Sequence, residues 1–424
     1  MSAQRRVGEG GSEARRALRR RQLRARRLGV GALAVVTVVA LGSLRVAHEA
    51  VPASSVRTTV ARRVVVPGRS TGLSWPTEGE AALADWDGKP IGVSGPATPV
   101  PIASVTKVMT AYLTLREHPL AVGQDGPSFV ISESEAAHLA ARIAAGESLV
   151  DVYAGESFDE MQALQALLIP SADNMAAALA RFDAGSRSAF VAEMNAEAAR
   201  LGMTRTHFVD PSGLDPGSVS DATDLVRLAA VAMRQPVLAR IVDESSAVLP
   251  GVGTVTNYNT LVGTDGFVGI KTGSTPEAGG CLLFAVVRRV DGQRVRLLGV
   301  VLGQQGTSIL SAAVDAARKL VDSWYSKLAE RVLLPAGTPV LSLRRAGATT
   351  RVVTTEPLRV LAAAGSAIPL RLQLGRTDLR GARPGSVVRG RLVAETASGS
   401  VSVPIRGTAP PSPSLGWRLG HLFG

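Results

Sequence analysis

The chain has 424 residues, 46% apolar and 19% charged, which suits one large or two ordinary domains with real cores and excludes a disordered chain. A single cysteine (Cys281) and five scattered histidines exclude a disulfide framework and a thiolate zinc cluster, so neither a metal nor a cofactor is expected. The net charge of +12 sits at the two ends, with ten Arg against two Glu in residues 1–27 and thirteen Arg against three acids in 331–424; a nucleic-acid reader carries its charge on a folded recognition surface, so no nucleic-acid partner is expected.

Residues 1–27 read as a basic cytoplasmic segment. The charge-free run that follows, 28–44, is 17 residues long, at the short edge of what crosses a bilayer as a helix. Arginines ahead of an apolar run hold that end in the cytoplasm, so 28–46 is expected to be a single-pass signal-anchor in the cell membrane. The alternative is a cleaved signal peptide, for which Val51-Pro52-Ala53 is the best but a poor cleavage site. Either way residues 47–424 lie outside the cytoplasm. Residues 47–73 lack periodicity and read as a linker.

A folded domain is expected over 74–328. Strands at 81–85 and 91–93 flank an Asp87-Gly88 turn. Helical patterns follow at 103–117, 157–169, 172–181, 186–201 and 220–234, the second opening on a Ser157-x-x-Glu160 capping box. Strands are expected at 267–272, 281–287 and 295–303, the last two joined at Asp291-Gly292, and a helix at 308–325 closes the domain. The fold class is therefore α+β with a meandering antiparallel sheet. Alternating segments after Pro335 describe a small all-β domain over 329–408, and 409–424 is a Pro-rich tail. Trp417 and Leu419 give that tail an amphiphilic end, read as unstructured or as a membrane-surface contact.

The chemistry rests on rare residues. Of five lysines, Lys107 alone follows a serine by three positions, in Ser104-Val105-Thr106-Lys107. On a helix those two side chains share a face. A hydroxyl needs a base to become a nucleophile, and an amine serves when burial or a second cation lowers its pKa. Lys271 is that second cation. Ser171-Ala172-Asp173-Asn174 follows the helix breaker Pro170; Ser171 reads as a helix N-cap, a proton relay, or both. Lys271-Thr272-Gly273 ends a strand, where an amine and a hydroxyl side by side hold a carboxylate and the glycine admits a ligand backbone. Each motif alone is weak, and each has an ordinary structural explanation.

Together, in this order and 67 and then 100 residues apart, they resemble the S-x-x-K, S-x-N and K-T-G trio of penicillin-binding proteins and serine β-lactamases. The contexts Pro101-Ile102-Ala103, Phe208-Val209-Asp210-Pro211-Ser212-Gly213-Leu214 and Gly269-Ile270 are similar to those of the serine D-alanyl-D-alanine carboxypeptidases, over about residues 74–325. The resemblance implies a β-lactamase/D,D-peptidase-like domain followed by the family's small β domain. It implies Ser104 as acylated nucleophile, Lys107 as base and Ser171 as proton relay. Asp173, Asn174, Lys271, Thr272, Gly273 and Ser274 would bind substrate, with the backbone N–H groups of Ser104 and Ser274 as the oxyanion hole. The partners implied are peptidoglycan stem peptides ending in D-Ala-D-Ala, and β-lactams.

One departure stands out. The third motif position is Asp173, and the asparagine comes one residue later, at Asn174. An ionised Asp only accepts hydrogen bonds where Asn also donates. Either Asp173 binds Lys107 and favours its protonated form, or the loop shifts so that Asn174 does the work. A β-lactamase is a less favoured reading, because no Glu occurs between Glu197 and Glu244 to drive deacylation. The alternative to the carboxypeptidase reading is a non-catalytic or weakly active wall-peptide or penicillin-binding module, motivated by Asp173 and the basic β domain.

Overall fold

The structure is a computed structural model describing residues 10–48, 51–68, 72–375, 379–396 and 399–421. The basic and apolar N-terminal stretches, expected as separate segments, form one helix, α1 (Gly10–His48). No proline interrupts it, and the arginine-rich part has good helix formers. Its segment Leu18–Val46 is 29 residues long, exposed along its apolar stretch, and long and apolar enough to cross a membrane. Residues 1–9 of the expected basic segment lie outside the described residues.

The stretch expected as a linker contributes structure. β1 (Ser55–Thr58) and β2 (Arg63–Val65) are edge strands of the distant C-terminal sheet, with Ser55 opposite Arg344 and Val65 opposite Ala367. The chain then enters the α+β domain through β3 (Glu80–Ala84) and β4 (Pro90–Ser94). These flank β5 (Phe267–Thr275), β6 (Gly279–Val290) and β7 (Gln293–Gln304) in an antiparallel sheet of order β5-β6-β7-β3-β4. Asp291 and Gly292 both have positive φ, the geometry of the tight turn that joins two strands without splaying them.

Successive residues of β6 point to opposite faces. Leu282, Phe284 and Val286 meet Ala313, Ala317 and Leu320 of α7 (Ile309–Tyr325). Leu283 and Ala285 face the larger cluster built by α2 (Lys107–Glu117), α3 (Glu160–Leu168), α4 (Asp173–Ala184), α5 (Arg187–Arg200) and α6 (Ala222–Ala232). Helix α2 is buried on nearly all sides, which suits its run Val108, Met109, Ala111, Leu113 and Leu115. The capping box of α3 lies two residues beyond the expected one: Asp159 caps and Gln162 answers, so Ser157 stays in a short strand.

The C-terminal domain is built on a seven-stranded sheet, beside which Ala329–Leu334 and Leu358–Ala362 pair with each other. Its strands β8 (Pro339–Arg345), β9 (Ala348–Thr354), β10 (Ala367–Leu374), β11 (Val387–Thr396) and β12 (Gly399–Thr408) run in the order β1-β8-β9-β12-β11-β10-β2. Leu343, Val352, Val388, Leu392 and Ile405 fill its core. The tail ends in a short helix, α8 (Leu415–Gly420), whose Arg418 guanidinium donates to the Val46 carbonyl of α1 at 2.8 Å.

Candidate active site

Ser104 sits in a 3-10 turn, Ala103–Thr106, and the α-helix begins only at Lys107, so the expected helix over 103–117 starts with a tighter turn. Ala103 has φ +45°, and the turn is held from behind by Gly213. A Cβ on Gly213 would stand 1.9 Å from the Ala103 carbonyl oxygen, so only glycine fits. Ser104 is half-buried and Lys107 fully buried.

The Lys107 amine is surrounded by three acceptors: Ser104 Oγ at 2.7 Å, Asp173 Oδ1 at 2.6 Å and the Ser212 carbonyl at 3.1 Å. An ammonium satisfies all three with its three N–H groups. A neutral amine exchanges one N–H for a lone pair, which can receive the Ser104 proton.

Asp173 is the first residue of α4 and is buried. Of the two arrangements left open by the motif, the structure contains the first. The Asn174 amide turns away and exchanges two hydrogen bonds with the Val150 backbone, at 2.8 and 3.3 Å. It stands behind the site and makes no hydrogen bond to Lys107. Nor is Ser171 the helix cap: Ala172 is the N-cap residue, and no side chain caps α4. Ser171 is buried with φ +65°, a conformation costing about 1–3 kcal/mol in a non-glycine residue and one that clusters at functional sites.

Lys271, Thr272, Gly273 and Ser274 lie on β5, the edge strand nearest the 3-10 turn. A Cβ on Gly273 would sit 2.9 Å from the Ile102 carbonyl and 3.0 Å from the Ser104 nitrogen, so the missing side chain is what lets the Ser104 backbone lie against this strand. Lys271 is buried and donates to the Thr272 carbonyl at 3.1 Å. Burial and then the nearby Lys107 charge push its amine well below the ordinary lysine range, with Asp173 opposing. Thr272 is buried and Ser274 is exposed.

Two further residues had no assigned role in the motif reading. The Asp210 carboxylate accepts from the Ser212 N–H and hydroxyl, from the Gly213 N–H at 2.9 Å and from the Ser218 hydroxyl at 2.8 Å. That knot presents the Ser212 carbonyl to Lys107. Their signal was already present in the Asp210-Pro211-Ser212-Gly213 run, a turn sequence with an Asp positioned to accept from residues two and three ahead. A cavity of about 680 Å³ adjoins the pair, lined in part by Asp173, Ser212, Leu214, His138 and Arg142. Among the described residues no group of three or more His, Cys, Asp or Glu side chains gathers as a metal site. The Cys281 thiol is pushed up to about 11 by burial and stands inside its strand.

The family description matching this chain, D-alanyl-D-alanine carboxypeptidase, covers residues 86–306. Among curated relatives, the D-alanyl-D-alanine carboxypeptidase DacB2 of Mycobacterium tuberculosis is 38% identical over 185 residues, 42% of this chain and 59% of the relative. A D-alanyl-D-alanine endopeptidase of Pseudomonas aeruginosa is 32% identical over 213 residues, 48% of this chain and 66% of the relative. The chain thus spans about three-fifths to two-thirds of the length of these relatives. Among solved structures, a D-alanyl-D-alanine carboxypeptidase from Mycobacterium tuberculosis aligns at TM-score 0.52 and 30% identity, over 62% of this chain and 96% of that one. A Streptomyces DD-transpeptidase aligns at TM-score 0.50 and 25% identity, over 59% of this chain and 98% of that one.

Proposed function

The chain belongs to the D-alanyl-D-alanine carboxypeptidase family, and on that footing we propose that it removes the terminal D-alanine from peptidoglycan stem peptides through an acyl-enzyme on Ser104. The observation that carries the reading is the 2.7 Å contact between a half-buried Ser104 hydroxyl and a fully buried Lys107 amine. Ser104 Oγ attacks the carbonyl of the penultimate D-alanine while its proton passes to Lys107 Nζ. The negative charge that develops on the carbonyl oxygen is met by the Ser104 and Ser274 N–H groups. Collapse breaks the peptide C–N bond. The leaving amine takes the proton from Lys107 by way of the Ser171 hydroxyl, and D-alanine departs. Water then attacks the Ser104 ester, giving the shortened peptide's carboxylate and restoring the hydroxyl. Lys271 and Thr272 engage the substrate's terminal carboxylate, and the open edge of β5 admits the peptide as an added strand.

Helix α1 anchors the protein in the cell membrane as a single span, with its arginine-rich start in the cytoplasm and both folded domains outside. β-Lactams, which acylate the same serine, are ligands in this reading.

The test is the intact mass of the full-length protein with penicillin over time, beside Ser104→Ala, together with D-alanine release from a peptide ending in D-Ala-D-Ala. A long-lived adduct that requires Ser104, and D-alanine release that requires it too, are expected. An adduct that disappears as penicillin is consumed, without D-alanine release, would replace this reading with a β-lactamase. The Asp173 contact on Lys107 favours one other reading, a weakly active binding module, and a folded protein that forms no adduct would establish it.

A further inference from the structure

The outward face of the seven-stranded sheet carries an arginine array, with a single acid, Glu395, among the residues of its strands. Residues directly opposite each other in an antiparallel pair share a face, as do residues two apart on one strand. Arg57 on β1 stands opposite Ser342, and Ser342 opposite Arg351. Arg344 lies two residues from Ser342 on the same strand. Arg406 stands opposite Val353, two residues from Arg351, and directly opposite Arg389; Arg391 lies two residues beyond. Five strands thus place Arg57, Arg344, Arg351, Arg389, Arg391 and Arg406 on one face, all exposed. The one carboxylate in the strands of this sheet, Glu395, is already held by Arg371 and Ser400. Among the described residues, no side-chain partner is seen for Arg57, Arg344, Arg351, Arg389 or Arg406.

Like charges directly opposite across strands destabilise a sheet, so the Arg389–Arg406 pair is a cost unless something anionic meets it. The array contains no lysine, and a guanidinium fork matches phosphate bidentately. The chain's course says where the phosphate lies. Six residues separate His48, the end of α1, from Ser55, the start of β1, a reach of at most about 25 Å. Arg418 of the tail also bonds the Val46 carbonyl in the last turns of α1. The β domain is therefore held at the membrane exit from both of its chain ends.

We infer that this arginine face docks on the anionic phospholipid surface of the membrane in which α1 is anchored. The inference rests on the membrane-anchor reading of α1. Each arginine near such a surface contributes about fivefold to the docking equilibrium, and the contribution falls with salt.

The full-length protein, with Thr349→Cys on the same face as the labelling site, is reconstituted in vesicles of phosphatidylcholine with and without phosphatidylglycerol. Native Cys281 is buried, so the new thiol takes the fluorophore. The readout is quenching by an acceptor lipid at the headgroup. Expected is strong quenching in anionic vesicles, weak quenching in neutral ones, reversal by high salt, and a shift of roughly 20-fold in docking for the Arg389→Ser, Arg406→Ser double variant. Removing a like-charge pair relieves the sheet, so this variant is expected to fold. Flotation with neutral vesicles reports α1 alone: loss of flotation there overturns the anchor. A floated protein whose label is equally distant from neutral and anionic bilayers overturns the docking. Salt-sensitive binding of soluble polyphosphate by the protein in neutral vesicles, with no approach of the label to anionic ones, would reassign the face to an anionic wall polymer.

Discussion

Lys107 and Asp173 are the first residues of α2 and α4, and their ion pair at 2.6 Å joins the starts of two helices. At the far ends the same helices meet again, His118 Nε2 standing 3.3 Å from Asp183 Oδ1. About three helical turns, roughly 16 Å, separate the two pairs. The separation of the Lys107 amine and the Asp173 carboxylate is therefore set by how two helices lie along each other.

An amide at position 173 keeps an acceptor for Lys107 and removes a full negative charge from beside the base. Asp173→Asn is expected to acylate with penicillin about tenfold faster at neutral pH, the effect of about 1.4 kcal/mol off the barrier. Asp173→Ala strips a buried amine of its partner and is expected to cost about 3–5 kcal/mol of stability. Stopped-flow acylation and thermal denaturation separate the two outcomes. An Asp173→Asn protein slower than the parent would show that the carboxylate itself is needed.

Gly273→Ala tests the close approach between β5 and the Ser104 backbone. The added Cβ meets backbone at 2.9–3.1 Å from three sides, Ile102, Ser104 and Val105, and none of these is a flexible tip. A displacement of the Ser104 nitrogen by part of an ångström is expected to lower the acylation rate by about 100-fold. The melting temperature is expected to move by only a few degrees. Mass spectrometry of the adduct and a melting curve decide it; an unchanged acylation rate would refute the packing argument.

Lys271 is buried with a depressed amine pKa, so between its folded value and the ordinary 10.5 the unfolded chain binds more protons than the folded one. Stability must then rise with pH through that window. Lys271→Met removes the effect: at pH 7 the variant is expected to be more stable by about 1–4 kcal/mol and inactive, with the stability gap closing toward pH 10.5. Denaturant midpoints at several pH values measure the gap. A variant less stable than the parent at pH 7 would contradict this.

Glu160, the first residue of α3, and Asp183 are buried carboxylates without hydrogen-bond partners among the described residues. Burial, then Asp183 and Asp159, raise Glu160 to about 7. Burial raises Asp183 to about 6, with Glu193 and Glu117 adding and His118 and Arg116 opposing. A folded pKa above the unfolded one means that stability is fully present below the unfolded values of 4.5 and 3.8 and is lost as pH rises through about 6 and 7. Glu160→Gln is expected to gain about 1–2 kcal/mol over the parent at pH 8 and to match it near pH 4. Parallel melts across that range check the sign.

The gathering of the motif residues was more legible than the architecture around them. Ser104, Lys107 and Lys271 stand in short motifs whose spacing is local, and a helix or strand reproduces that spacing wherever it lies. Which of Asp173 and Asn174 meets Lys107 depends on where α4 begins. The start is set by Ser171 in a left-handed conformation, a tertiary outcome that Ser171-Ala172-Asp173 does not announce. The capping box misled for a related reason, since Ser157…Glu160 and Asp159…Gln162 both satisfy the pattern and packing chooses between them. β1 and β2 were invisible: runs of four and three residues show no periodicity, and their partners lie far along the chain.

That last arrangement puts the order of synthesis under constraint. Ser55 waits for Arg344, 289 residues later, before its strand has a neighbour. At 5–20 residues per second this is roughly 15–60 s of elongation. During that interval the whole α+β domain emerges and can fold, while two orphan strand segments remain as unpaired edges close to α1. The C-terminal sheet is thus the last part of the molecule to close, and it closes around a domain already formed.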